Sequence, residues 1–127
     1  MPKTLISTDR APSAIGPYSQ AVKAGNLLFV SGQLPLDPKT GQLIEGDIQK
    51  KTATVIENIR AILEESGSNL KSVLKATIFL IDISDFSAVN DIYSRYFADS
   101  LPARSAVQVA ALPKGADIEM EVIALAE

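Results

Sequence analysis

The stretch from Asp117 to Leu125 constrains this chain more than any other. Its residues alternate as a strand does: Ile118, Met120 and Val122 point one way, and Glu119, Glu121, Ile123 and Leu125 the other. Several other strand-like segments are also apolar at both parities. A sheet built from them needs cover on both faces, yet the sequence offers only two amphipathic helices, enough for one. The second face is too greasy for water and too polar for a simple core. Burial against further copies of the chain resolves this, so a closed homo-oligomer is expected.

The remaining elements follow from local pattern. Tyr18 to Ala24 and Leu27 to Gly32 read as strands around the Gly25-Asn26 turn. Leu36 to Gly41 is a loop. Asp47 is placed to cap a helix whose apolar stripe is Ile48, Val55, Ile56, Ile59, Ile62 and Leu63, with Gly67 as its stop. Val73 to Ile81 is a β-branched strand. Ser84 or Asp85 caps a second helix bearing Phe86, Val89, Tyr93 and Phe97 on one side, and Pro102 lies beyond its end. Ser105 to Ala111 and Asp117 to Leu125 complete the strands, joined around Pro113-Lys114-Gly115. The sum is an α+β sheet of five or six strands with both helices on one face, a single domain over residues 1–127.

Composition narrows the chemistry. Twelve Lys and Arg against fifteen Asp and Glu give a net charge of −3 with no basic block, which argues against nucleic acid as a partner. No apolar stretch approaches a membrane span, and Met1-Pro2-Lys3-Thr4 resembles neither a secretion signal nor a transit peptide, so a cytoplasmic protein is expected. The absence of histidine removes the commonest general base and most zinc sites. The absence of cysteine removes thiol nucleophiles and disulfides. The seven glycines form no GxGxxG or GxxxxGK cradle. Chemistry must come from carboxylates, hydroxyls, amides, lysine or arginine, which suits an already electrophilic substrate without a cofactor or metal.

Arg104 is the strongest single candidate. It sits in Pro102-Ala103-Arg104-Ser105, opening an otherwise uncharged run through Leu112. A permanently ionised, planar fork in apolar surroundings calls for an anionic partner, either a protein carboxylate or a ligand.

Four blocks in register extend this reading: Ile15-Gly16-Pro17-Tyr18-Ser19-Gln20, Phe29-Val30-Ser31-Gly32-Gln33, Pro102-Ala103-Arg104-Ser105 and Ile118-Glu119-Met120-Glu121. In order and spacing they resemble the RidA (YjgF) family from about Ala11 to Ala126. The resemblance implies a chorismate-mutase-like mixed sheet of about six strands with two helices on one face. It also implies a homotrimer with ligand sites between subunits. The implied activity is hydrolysis of reactive 2-imino acids, 2-iminobutanoate and 2-iminopropanoate, to 2-oxo acids and ammonia, which protects against metabolite damage. No cofactor is implied.

Within that resemblance, Arg104 matches the arginine that clamps the substrate carboxylate, and Glu119 the carboxylate that holds the attacking water. Tyr18 lines the pocket, Ser31 and Asn90 sit nearby, and Gly32 lets the backbone approach the ligand. Ala106 stands where many relatives carry a cysteine, so thiol chemistry is excluded at that position.

Each assignment has an ordinary structural alternative. Arg104 could close a salt bridge across a subunit contact, and Glu119 or Glu121, which share a face, could pair with a lysine or arginine. Tyr18 could be core with a wet hydroxyl, Asn90 a helix-edge amide, Ser31 a turn residue. Lys114 reads as an exposed loop charge and Glu64-Glu65 as a solvated helix end. At the level of function, the alternatives are a non-catalytic trimer binding small carboxylates, and an RNA-acting protein, which the acidic balance disfavours.

Overall fold

The computed structural model describes residues 2–126. Six strands form one sheet: β1 (Lys3–Ile6), β2 (Ala21–Ala24), β3 (Leu27–Gln33), β4 (Val73–Leu80), β5 (Ala103–Gln108) and β6 (Ile118–Leu125). Their order is β1-β2-β3-β6-β4-β5, with only β4 and β5 parallel. Two helices, α1 (Ile48–Glu65) and α2 (Phe86–Phe97), complete the expected α+β architecture.

The start of α1 is set by Asp47, whose carboxylate accepts from the Lys50 amide at 2.8 Å. Its stripe of Val55, Ile56, Ile59, Ile62 and Leu63 is fully buried. Each such side chain contributes about 1.5–3 kcal/mol of burial free energy. Ile48, at the open end, is only partly covered. The helix stops at Gly67, which takes φ +79° while Ser68 N–H donates back to the Leu63 carbonyl at 2.8 Å.

Four local expectations need correction. Tyr18 to Gln20 is not strand: Gly16 adopts φ +117° and accepts from the Tyr18 amide at 2.9 Å, so the chain turns before β2 begins at Ala21. β1 was not anticipated, because Lys3-Thr4-Leu5-Ile6 becomes a strand only by pairing with Ala21 to Ala24. Neither Ser84 nor Asp85 supplies the capping side chain of the second helix. Asp85 holds the N-cap position of α2 without a side-chain bond, and Asp82 accepts from Ser84 N and Oγ at 2.9 and 2.7 Å to cap the 3-10 turn that feeds the helix. The fifth strand lies earlier than Ser105 to Ala111, because its length is set by pairing with β4, from Lys75–Ala103 to Leu80–Gln108.

The core lies between helices and sheet. Leu28 and Val30 of β3, Ala76, Ile78 and Leu80 of β4, and Ile118, Met120, Val122 and Ala124 of β6 meet α1 and Val89, Tyr93 and Phe97 of α2. The other face is uncovered by any element of the described residues. Phe29 (44% exposed), Val107 (43%) and Leu125 (37%) lie open there with Thr77, Phe79 and Ile123. The doubly apolar pattern of β6 is therefore a property of the folded chain.

One irregularity bears on the site. Pairing between β3 and β6 shifts between Val30 (opposite Val122) and Gln33 (opposite Met120). Ser31 and Gly32 together face the single residue Glu121, which makes a bulge.

Candidate active site

The expected site residues fall into two groups on opposite faces of the sheet. The first lies where edge strand β5 meets α2. Arg104 is aligned with Ala76 of β4, on the helix-covered side. Its guanidinium carbon lies 5.0 Å from the Phe86 ring centre and 4.8 Å from that of Tyr93. Its Nη1 donates to Asn90 Oδ1 at 2.6 Å. The amide thus holds one arm of the fork while two ring faces support the plane. None of the three ion pairs among the described residues includes Arg104, so no carboxylate among those residues answers it. β5 is largely exposed and Arg104 with it, because β5 forms the sheet edge.

A cleft of about 320 Å³ opens beside this arginine, walled by Tyr93, Ser94, Leu101, Pro102 and Arg104. Leu101 adopts φ +49°, a conformation uncommon for a branched side chain, as the chain turns from α2 toward Pro102. Burial pushes the Tyr93 phenol above its ordinary pKa, an effect the neighbouring arginine partly offsets. The Tyr93 hydroxyl has no hydrogen-bond partner among the described residues. Ala106, half-buried and aligned with Ile78, packs against the core, where a small side chain suffices.

The second group lies at the far face, around the bulge. Glu119 is aligned with Phe79 and is half-buried. Burial raises its carboxyl pKa, and the nearby Glu121 charge raises it further. Neither acid has a lysine or arginine within ion-pair distance among the described residues. Ser31 donates its hydroxyl to the Ser19 carbonyl at 2.6 Å, tying the turn that carries Tyr18 to β3. Tyr18 itself is 55% exposed, so the core alternative for it does not hold.

Gln20 is the residue this part of the sequence concealed. Its buried amide accepts from Thr8 N at 2.7 Å and donates to the carbonyls of Thr8, Ala11 and Pro12 at 3.0, 3.3 and 2.7 Å. The motif Gly16 to Gln20 is thus partly a scaffold that fixes where Tyr18 stands. Phe86 and Tyr93 were legible only as core positions, and their use as a shelf for Arg104 depends on β5 lying beside α2.

Lys114 sits exposed at φ +60° in a 3-10 turn, as a loop charge would. Glu64 and Glu65 are exposed at the end of α1, as a solvated helix end would be, and Glu64 makes a surface pair with Arg10 at 3.2 Å. A larger hollow of about 470 Å³ runs along the outer side of α1. It holds none of the candidate residues, and its arginines are already paired, Arg10 with Glu64 and Arg60 with Glu57 at 3.2 Å.

The geometry defines a class of protein: an α+β chain with an arginine on an aromatic shelf at one sheet edge and a half-buried carboxylate on the opposite face. Residues 8–126 match the family described as Endoribonuclease L-PSP, and the chain belongs to this family, the RidA or YjgF family. It is 55% identical to a RutC family protein of Pyrococcus abyssi over the full length of both. It is 51% identical to the 2-iminobutanoate/2-iminopropanoate deaminase of Capra hircus, covering 97% of this chain and 90% of that protein. Among solved structures it is similar to a putative endoribonuclease of Thermotoga maritima, with TM-score 0.95 and 55% identity over 98% of each chain.

Proposed function

We propose that this protein hydrolyses short 2-imino acids to 2-oxo acids and ammonia, acting as one domain assembled into a homotrimer. The observation that carries the proposal is the state of Arg104: a guanidinium held by Asn90 and two rings, with no carboxylate partner among the described residues, beside an open cleft. With Nη1 engaged, the Nε–Nη2 edge remains for a bidentate pair with a substrate carboxylate.

Arg104 and Glu119 face away from each other within one chain, so a shared site needs two copies. Covering the apolar sheet face with a neighbour's β5 edge would bring the neighbour's Arg104 toward Tyr18, Ser31, Gly32 and Glu119. It would also bury Phe29 and Leu125.

The chemistry then needs little. A protonated imine carbon is already electrophilic, so the site has to fix the substrate and orient water. The Glu119 carboxylate takes a proton from water as its oxygen bonds to the imine carbon, giving a carbinolamine. That proton returns to nitrogen, and as the C–N bond breaks the carbinolamine hydroxyl gives its own proton to Glu119, so that ammonia and the 2-oxo acid leave and the proton passes to solvent. A base raised toward neutrality by burial suits these transfers, and such catalysis contributes on the order of 10²–10⁴-fold.

The test generates 2-iminopropanoate from alanine with an amino-acid oxidase and traps it with semicarbazide. Less semicarbazone with the protein present, restored by Arg104→Ala, is the expected result. A folded trimer that leaves the semicarbazone unchanged would overturn the proposal in favour of a non-catalytic carboxylate binder.

A further inference from the structure

The glycine at position 32 is not explained by its own backbone. Gly16, Gly25, Gly41, Gly46, Gly67 and Gly115 have positive φ, whereas Gly32 does not, so an L side chain could adopt its conformation. What a side chain could not do is find space. A Cβ built there would overlap the Glu119 carboxylate, lying 2.9 Å from Cδ and 3.2 Å from Cγ. The bulge sets up this approach, because the extra residue in β3 brings Gly32 next to the β6 side chain that precedes the shift in register.

We infer that Gly32 is a positioning residue: the volume of its missing side chain is where the Glu119 carboxylate rests. This rests on the reading of Glu119 as the base that activates water. It differs from a role in which the Gly32 main chain simply approaches the ligand, because the space is already taken by a protein group.

The consequence is specific. Gly32→Ala meets the mobile end of a side chain, so the carboxylate moves and the fold stays. Displaced toward solvent, Glu119 loses the burial that raises its pKa, while its position against water is lost. By register, the other charged groups on this face among the described residues are Glu121 of β6, Lys75 of β4 and, at the far edge, Lys3 of β1. By register, β3 presents Phe29 and Ser31 there and β5 presents Ser105 and Val107, none of which titrates near neutrality.

The experiment compares full-length wild type and Gly32→Ala by carboxyl-carbon NMR titration of labelled glutamate, with Glu119→Gln assigning the resonance, and by steady-state kinetics on 2-iminopropanoate. The expected result is a Glu119 titration that falls toward the ordinary glutamate value. kcat should fall about tenfold or more with KM within about twofold. An unmoved Glu119 titration would overturn the inference, as would a raised KM at constant kcat.

If Gly32→Ala does not fold, adding Glu119→Ala decides the matter. Recovery of folding shows that the carboxylate was the obstacle, and no recovery overturns the inference. Full activity in Glu119→Gln would instead remove the proposed base while leaving the NMR result to judge the positioning.

Discussion

Arg104 and Glu119 stand on opposite faces of one sheet, three positions apart along β4, where Arg104 aligns with Ala76 and Glu119 with Phe79. An odd separation along a strand puts their side chains on opposite sides. Two groups that the proposed reaction would use are thereby kept apart within the chain, so that on this proposal assembly would complete the site. The following outcomes test this arrangement.

Arg104→Ala should lower kcat/KM for 2-iminopropanoate about 100-fold or more, since two charge-assisted hydrogen bonds at about 1.5–3 kcal/mol each are lost. Arg104→Lys should recover little, because an ammonium lacks the planar fork and the fit over two rings. Arg104 is exposed, so the urea midpoint should stay near wild type for both. Semicarbazide trapping and a denaturation curve together check this.

Asn90→Ala should raise KM about tenfold with a smaller change in kcat. The 2.6 Å bond from Arg104 aims the fork rather than touching the reacting carbon. Steady-state kinetics over a range of imine concentrations separates the two parameters.

Glu119→Gln should reduce kcat by about 10²-fold or more and abolish the acid limb of the pH–rate profile. In wild type that limb should lie above the ordinary glutamate value, since burial and Glu121 both raise this carboxyl. The stability effect has the opposite sign to that of a salt-bridged acid. A folded-state pKa above the unfolded one means the native protein binds the proton more tightly, so stability falls as pH rises through the folded value. Glu119→Gln should therefore raise the melting temperature at pH 7 and leave it unchanged near pH 3.5, which calorimetry at the two pH values measures.

Gln20→Ala should destabilise the fold by about 2 kcal/mol or more, by removing four hydrogen bonds from buried main-chain groups of Thr8, Ala11 and Pro12. Urea unfolding gives the figure. Because Gln20 anchors the turn behind Tyr18, activity at saturating substrate should fall as well.

Wild type should sediment as a trimer at micromolar concentration. Phe29→Glu places a charge in the middle of the uncovered sheet face and should yield a folded monomer without deaminase activity, though every candidate site residue is intact. Sedimentation velocity and circular dichroism distinguish dissociation from unfolding. A fully active monomer would show that the two faces need not meet.

The helices were the most legible part of the sequence. The Asp47 cap, the stripe from Val55 to Leu63 and the Gly67 stop act within a few residues of one another, and they appear in the structure as expected. The strand ends were less so. Tyr18 lost its place in β2 to a turn at Gly16, and Lys3 to Ile6 became a strand only through its partner. The 3-10 turn capped by Asp82 ahead of α2 was hidden because three residues carry no periodicity.

The sequence by itself determined what depends on neighbours along the chain: helix caps and periodicity, the doubly apolar strand Ile118 to Leu125, and the absence of histidine and cysteine chemistry. It also marked Arg104 and Glu119 through motifs. Only the tertiary structure decided that these two face apart, that Phe86, Tyr93 and Asn90 carry the arginine, and that Gly32 makes room for a carboxylate. The reason is register. A strand's pattern says which residues share a face, but pairing between distant segments says what lies beside them, and a single bulged residue reverses the parity.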